Sequence, residues 1–437
     1  MRFFSIKKLL TRRVDSGPEY SLLPDHDLDD LERYNDTQDE NSDSEVEDAM
    51  TITDSSDFVP RTPNEESFKY NTLVDAAYCL SWPEGSHSVS SRKKTTQASF
   101  DLPAFPHLLF FIARGSSTRG HLTINTDEDA ARDKIVVRIA VKYRDRADLE
   151  KTKICTMDND SSPDEYTVES GIMVWGDEGA SQDPTFNISV QVPWSWWYFQ
   201  DFSTDFSAGA YSQEIGGIWD PVSFNTVRLK GDNATIKINA AVGAAFVQTT
   251  NAAVEAAFST DNQVHIRTTK EPIDSLIQGW GWGYADDMIK VSMITSDARI
   301  QAALNIGSFG TELNASLHTS NGLLRITMPY MTGQLDTAYY INASTSNAAA
   351  DVFLHPDYEG RFDLSTSENG KAKVQWDPFP ELDPLLVLPD KNHSVDIEDS
   401  DDSRLVGRVF LGEQAPRNMG DITVTTTEED VQLYAFH

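Results

Sequence analysis

The chain has 437 residues, of which 39% are hydrophobic and 10% aromatic, enough to bury a sizeable core and to make two or three domains. Its 36 Lys and Arg stand against 69 Asp and Glu, a formal net charge of −33. Such a chain lacks the basic face that phosphate neutralisation needs, which excludes nucleic acid as a partner, and no stretch approaches the ~18 apolar residues of a membrane-spanning helix.

The first residues, MRFFSIKKLLTRR, combine Phe3, Phe4, Ile6, Leu9 and Leu10 with Lys7, Lys8, Arg12 and Arg13, the composition of a helix that lies on a membrane surface. A frayed terminus is the competing reading of residues 1–13. They do not read as a signal peptide, because Lys7 and Lys8 interrupt the apolar run and no small-residue cleavage site follows. An intracellular, cytoplasmic protein is therefore expected. Residues 1–66 hold 18 acidic and 7 basic residues, with Arg33 the lone base between Asp15 and Asp57. With so little to bury, this region is expected to be a disordered acidic tail.

Residues 67–225 read as a first, β-rich domain. Ile135, Val137, Ile139, Val141 and Tyr143 share one face of a strand, as do Phe186, Ile188, Val190 and Val192 of another. Residues 98–102 and 121–126 look like further strands. Two cysteines in so long a chain, Cys79 and Cys155, do not make a disulfide framework, and their apolar neighbours suggest buried free thiols. Sequons at Asn187, Asn233, Asn314 and Asn342 matter only in a secreted chain.

After Pro193 comes an aromatic cluster, Trp194, Trp196, Trp197, Tyr198 and Phe199, with Phe202 and Phe206 soon after. Aromatic side chains are heavy core fillers, but they also make platforms for sugars or protein partners. Core or cap packing, a ligand or partner surface, and membrane contact all remain open for this cluster. Trp280-Gly281-Trp282-Gly283 is a lesser version of the same feature.

Residues 226–437 carry a recurring phrase: a hydroxyl-rich tetrad ending in Asn or an acid, then an alternating apolar strand. Gln248-Thr249-Thr250-Asn251 precedes AAVEAAF, His318-Thr319-Ser320-Asn321 precedes GLLRITM, and Ser344-Thr345-Ser346-Asn347 precedes AAADVFL. The tetrads end at Asn233, Asn251, Lys270, Asp297, Asn321, Asn347 and Glu368, at intervals of 18, 19, 27, 24, 26 and 21 residues. A last copy, ending at Glu428, follows a gap of 60 residues containing a loop excursion over 376–404. Repetition at this period indicates stacked structural units. An all-β, solenoid-like stack follows, with residues 67–225 as the cap that covers its first edge; ordinary hairpins in a β-sandwich are the alternative. Val254, Ala256 and Phe258, and likewise Leu324, Ile326 and Met328, are expected to point inward. The tetrad ends Asn233, Asn251, Asp297, Asn321, Asn347, Glu368 and Glu428 are the expected corners. Asn321-Gly322 suits a corner in the left-handed conformation.

No catalytic constellation appears. The nine histidines are scattered, without HExxH or a Cys-His ligand set, and GxSxG, P-loop and GxGxxG patterns are absent. Asp286-Asp287 reads as a solvated turn, since adjacent carboxylates on a strand point to opposite faces. No cofactor, metal or catalytic residue is expected.

The "TTNA-x-V", "TSNG-x-L" and "STSNAAADV" strands resemble adhesin-like repeat domains of unknown function, as in uncharacterised fungal proteins with an acidic, disordered N-terminus. The resemblance spans residues 95–437 and includes Phe186 to Pro193, Phe224 to Ile238 and the terminal ITVTTTEEDVQLYAF. It implies a β-solenoid stack and supplies no catalytic residues. The expected function is a non-enzymatic scaffold or interaction protein with an unidentified protein partner. The alternative is a carbohydrate-binding or carbohydrate-cleaving β-helix using the aromatic cluster at 194–206.

Overall fold

Period-two alternation of apolar and polar residues runs from the strand that starts at Lys94 to the one that ends at Ala435, and each such stretch buries its apolar side. The computed structural model describes residues 76–80, 82, 94–104, 106–115, 118–127, 134–159, 168–176, 184–193, 199–216, 222–280, 288–306, 311–329, 337–355, 358–367, 369–376, 393–411 and 420–435. They form 26 strands and one short helix, arranged as two facing sheets that we call front and back. The fold is all-β and solenoid-like, with an N-terminal β cap.

The N-terminal elements are β1 (Ala76–Cys79), β2 (Lys94–Pro103), β3 (Leu108–Arg114), β4 (Arg119–Asp127), β5 (Lys134–Tyr143), α1 (Arg146–Glu150), β6 (Thr152–Asn159), β7 (Glu169–Gly176), β8 (Thr185–Pro193), β9 (Phe199–Phe206) and β10 (Ala210–Ile215). Strands β3, β7 and β9 are parallel in the back sheet, and β4, β8 and β10 are parallel in the front sheet. The coil β3–β4 therefore lies between β7–β8 and β9–β10, out of sequence order. Antiparallel strands close this end: β5 and β2 beyond β8, β6 and β1 beyond β7.

Strand β11 (Val222–Gly231) pairs in parallel with β9, and β12 (Ile236–Gln248) with β10, so the ladders continue through residue 225 without a break. Both β12 and β13 (Val254–Arg267) pass from front sheet to back sheet as single long strands. Thereafter one strand serves each sheet. The front adds β14 (Ile273–Gly279), β16 (Ile300–Ile306), β18 (Leu324–Thr327) and β20 (Ala350–Phe353). The back adds β15 (Met288–Thr295), β17 (Glu312–Thr319) and β19 (Ala338–Thr345).

The C-terminal strands are β21 (Gly360–Ser365), β22 (Ala372–Trp376), β23 (His393–Ser400), β24 (Arg404–Leu411), β25 (Gly420–Thr426) and β26 (Val431–Ala435). The last coil, β25–β26, is inserted between β19–β20 and β21–β22. Thus the tetrad ending at Glu428 follows Asn347 in space despite its distance in sequence: the N–H groups of Thr427 and Glu428 both donate to the Ser346 carbonyl at 3.1 Å. Strand β24 extends the back sheet antiparallel to β21, and β23 adds antiparallel to β24.

Between the sheets runs one dry core. Ile238, Ala256, Ser275, Ala302, Ile326, Val352 and Leu433 occupy equivalent inward positions on successive front strands, and all are buried. Val247, Ile266, Met293, Leu317, Ala343 and Val424 do the same at the back. Each buried aliphatic side chain contributes about 1.5–3 kcal/mol. A single coil holds only a few, so its stability depends on its neighbours.

The second tetrad position explains the phrase. Thr249, Thr268, Thr295, Thr319 and Thr345 are all buried. Each hydroxyl donates to a corner carbonyl of the preceding coil, those of Asp232, Ala252, Glu271, Ala298 and Gly322, at 2.9–3.4 Å. A carbonyl at a tight corner has no strand partner, and burying it unsatisfied is costly. Threonine satisfies it while its methyl group packs inward. One expectation needs correction here. Gly322 is not in the left-handed region; glycine is required because a Cβ there would collide with the Ala298 carbonyl of the coil below.

The cysteines also differ from expectation. Cys79 and Cys155 face each other across β1 and β6 and form a disulfide over a separation of 76 residues. Apolar flanking residues suggested free thiols, but the pairing of β1 with β6 brings the two sulfurs together, which local sequence could not show.

Candidate interaction surface

The outward side chains of the front sheet meet as charge pairs between neighbouring coils. Lys237 binds Glu255 at 2.8 Å, Arg299 binds Asp274 at 3.0 Å, Arg325 binds Asp351 at 3.3 Å and Lys373 binds Asp430 at 2.9 Å. Lys237 and Glu255, and likewise Arg325 and Asp351, are in-register partners on adjacent parallel strands, about 4.8 Å apart, so their opposite signs attract; Arg299 and Asp430 reach their partners from just before β16 and β26. Each exposed pair adds at most about 1 kcal/mol. They tie outward side chains of neighbouring coils together.

Two aromatic ladders interrupt this pattern. On the back sheet, Arg228 bonds Asp201 at 3.1 Å and lies 5.7 Å from the Phe246 ring, which stacks on His265 at 5.4 Å. Partial burial, and secondarily the charge of Lys290, lower the His265 pKa, so its imidazole favours the neutral form. On the front sheet, Arg325 lies 5.4 Å from Phe353, which stacks on Tyr434 at 4.3 Å. Large apolar side chains that remain exposed include Tyr340 on the back face, Met288 at the start of β15, and Trp280 just after β14.

Trp194, Trp196, Trp197 and Tyr198 lie outside the described residues, as do Glu368, Trp282, Asp286 and Asp287. The backbone of Phe199 opens β9, but its side chain is also outside the description. Phe202 and Phe206 are core residues: Phe202 stacks on Phe224 at 5.2 Å and Phe206 on Tyr211 at 4.6 Å. The connection from Pro193 to Phe199 passes from front to back sheet, as does the connection that begins at Trp280.

The corner residues form an edge of their own. The Asn251 amide donates to the Asn233 side-chain oxygen at 3.2 Å, Asn321 to Asp297 at 2.7 Å, and Asn347 to Asn321 at 2.6 Å. Their hydrogen bonds are used within the stack, which suits stability more than ligand capture.

The C-terminal end was not apparent from the sequence. Among the described residues β22 pairs on one side only, with β26, while the back sheet runs two strands further. The inward-facing Ala372, Val374, Val395 and Leu405 are only half-buried there, and Ile397 is 42% exposed. Equivalent positions deeper in the stack, such as Leu433, are sealed.

Asp205 accepts from the Ser207 hydroxyl at 2.6 Å and pairs with Arg114 at 2.9 Å. Burial pushes its carboxyl up, but the Ser207 hydrogen bonds and the Arg114 charge outweigh this and hold it below its usual value. This pair ties the β9–β10 turn to β3. Among the described residues no three His, Cys, Asp or Glu side chains converge to hold a metal, and no helix is long and apolar enough to cross a membrane.

No family model matches the chain, and no curated protein matches it. The solved structures similar to it include two adhesion-related proteins. A candidate cell adhesion protein from Clostridium sporogenes aligns over 78% of this chain and 100% of its own, at 6% identity and a TM-score of 0.16. A candidate adhesin from Bacteroides fragilis aligns over 78% and 97%, at 9% identity and a TM-score of 0.25.

Proposed function

We propose that this protein is a non-enzymatic interaction scaffold whose regular β faces engage a protein partner. The observation that carries this reading is the uninterrupted pair of parallel ladders from β9–β10 to β21–β22, which holds outward side chains in fixed rows. A preformed surface loses little entropy on binding. Tyr340 and Met288, exposed on the back sheet, are the proposed contact residues on that face. Affinity capture with the parent chain beside Tyr340→Lys and Met288→Lys variants tests the reading. A partner recovered by the parent and lost by the variants supports it; identical recovery from both counts against it.

A second reading is carbohydrate binding by Trp194, Trp196, Trp197, Tyr198 and Phe199. Trp280, 46% exposed beside another front-to-back connection, favours it. Silence on a glycan array, with unchanged tryptophan fluorescence on adding sugars, would remove it. For the compartment, the Cys79–Cys155 disulfide favours an oxidising setting over the cytoplasm. Migration of protein trapped from cells on a non-reducing gel decides between them.

A further inference from the structure

We infer that Asn314 and Asn342 are N-glycosylation sites, each carrying an oligosaccharide that packs against Tyr340 on the outer face of the back sheet. This goes beyond the scaffold reading and rests on the oxidising compartment that the Cys79–Cys155 disulfide favours. The acceptor pattern for such a sugar is Asn-x-Ser/Thr with x other than Pro. Asn314-Ala315-Ser316 lies within β17, and Asn342-Ala343-Ser344 lies within β19.

Strand register decides whether these triplets can carry a sugar, because successive side chains point to opposite faces. In the opposite register the Asn would enter the dry core, where no sugar fits. Here the middle residues, Ala315 and Ala343, are the ones buried, and both asparagines are exposed. Among the described residues neither carboxamide has a hydrogen-bond partner. The sequons at Asn233 and Asn187 lie differently. The Asn233 amide donates to Asp232 at 2.7 Å and its oxygen accepts from Asn251 at 3.2 Å, so a sugar there competes with the corner ladder. Asn187 is half-buried between β4 and β5.

The surroundings of the two asparagines supply an independent observation. Tyr340 is the in-register neighbour of Asn314 across the ladder and precedes Asn342 by two residues on β19. The three side chains therefore leave one face side by side. Tyr340 remains exposed in a polar row, with Asn314 and Lys290 on one side and Asp421 on the other. A sugar ring has an apolar face of C–H groups, and an aromatic ring covers such a face while the hydroxyls stay in water. Rungs about 4.8 Å apart bring the first sugar on Asn314 within reach of the Tyr340 ring. Covalent anchor and platform are thus adjacent.

The donor is an oligosaccharide carried on a lipid pyrophosphate. The carboxamide nitrogen attacks its anomeric carbon, so that an N–C bond forms and the C–O bond to the pyrophosphate breaks. The lipid pyrophosphate leaves with the bonding electron pair, and the amide gives up one proton. Transfer to the extended chain before it folds needs no loop at the acceptor. Folding then leaves both sugars outside the stack.

The test takes the full chain from its own cells, treats it with peptide N-glycosidase in heavy-oxygen water and maps its peptides by mass spectrometry. The glycosidase turns a sugar-bearing Asn into Asp and marks it with heavy oxygen. Label at both Asn314 and Asn342 is the expected result, and Ser316→Ala and Ser344→Ala should each remove one step of the gel shift. An unlabelled asparagine at either position overturns that site, a result that needs no variant to fold. Sugar removal should also lower the melting midpoint of the parent chain, and this shift should vanish in Tyr340→Ala. No shift in the parent, or an equal shift in the variant, overturns the packing against the ring. Bonded cysteines with unlabelled asparagines fault the sites alone, whereas free thiols on a non-reducing gel fault the compartment as well. If a partner depends on Tyr340 while both asparagines are unlabelled, the sugars fall and the scaffold reading stands.

Discussion

The side-chain amide of Asn347 donates to the side-chain oxygen of Asn321 at 2.6 Å, across coils whose corner residues are 26 positions apart in sequence. Asn321 passes the pattern on to Asp297 at 2.7 Å. The corner edge is thus a chain of side-chain hydrogen bonds running along the stack. Replacing Asn321 with Ala breaks two links at an exposed site. The expected cost is about 1 kcal/mol, seen as a lower midpoint in denaturant. An unchanged midpoint would show that the ladder is incidental.

Thr319 should matter more, because it is fully buried and its hydroxyl serves two groups. It donates to the Ala298 carbonyl at 2.9 Å and accepts from the Gly322 N–H at 3.2 Å. Thr319→Val keeps the shape and strands both partners. A loss of about 1–3 kcal/mol is expected, larger than for the exposed Asn321→Ala. Equal losses would contradict the assigned role of the second tetrad position.

Ile326 lies at 0% exposure between Ala302 and Val352 on adjacent rungs. Ile326→Asp buries a carboxylate with no cation near the core row. The loss should exceed about 4 kcal/mol, enough to prevent recovery of folded protein. If the variant melts like the parent, the inward row is misassigned.

His265 gives stability a pH dependence of known sign. Its folded pKa is lowered from the ordinary 6.5, first by burial and then by Lys290. The unfolded chain therefore takes up the proton more readily. This histidine's contribution is fully present above pH 6.5 and declines as pH falls from there toward its folded value. His265→Gln should flatten that part of the stability profile. A profile that is the same in the variant rules the effect out.

The Cys79–Cys155 disulfide holds edge strand β1 against β6. Reduction, or Cys79→Ser, removes a cross-link across 76 residues and should cost about 2–4 kcal/mol, with faster hydrogen exchange in Thr152–Asn159. Protection that survives in β6 would mean that strand pairing suffices without the bond.

Much of the architecture was legible because a solenoid repeats its local chemistry. The alternation at Val254–Phe258 and Leu324–Met328 identifies inward faces directly, since side-chain direction in a strand has period two. The tetrads mark the corners because each coil must satisfy the same corner carbonyl. Asn321-Gly322 shows the limit of this logic. The glycine was noticed for a turn conformation, whereas the coil below demands it by its closeness.

The candidate surface was much less legible. Phe202 and Phe206 look like their aromatic neighbours in sequence, but they pack against Phe224 and Tyr211 in the core. Ile397 lies in an acidic stretch that reads as an excursion, yet it is on β23 in register with the inward-facing Gly407. Composition cannot separate these cases, because exposure depends on which strand arrives opposite.

By itself, then, the sequence determined the strand class, the inward rows and the hydroxyl-rich corners, all of which follow from a residue and its near neighbours. Tertiary structure decided the order of the coils, the insertion of β25–β26 beneath β21–β22 and the Cys79–Cys155 bond. Each of those depends on contacts between residues far apart along the chain. Parallel strands with similar apolar faces are nearly interchangeable as neighbours, so only the packed core and the antiparallel strands at each end select one stacking order.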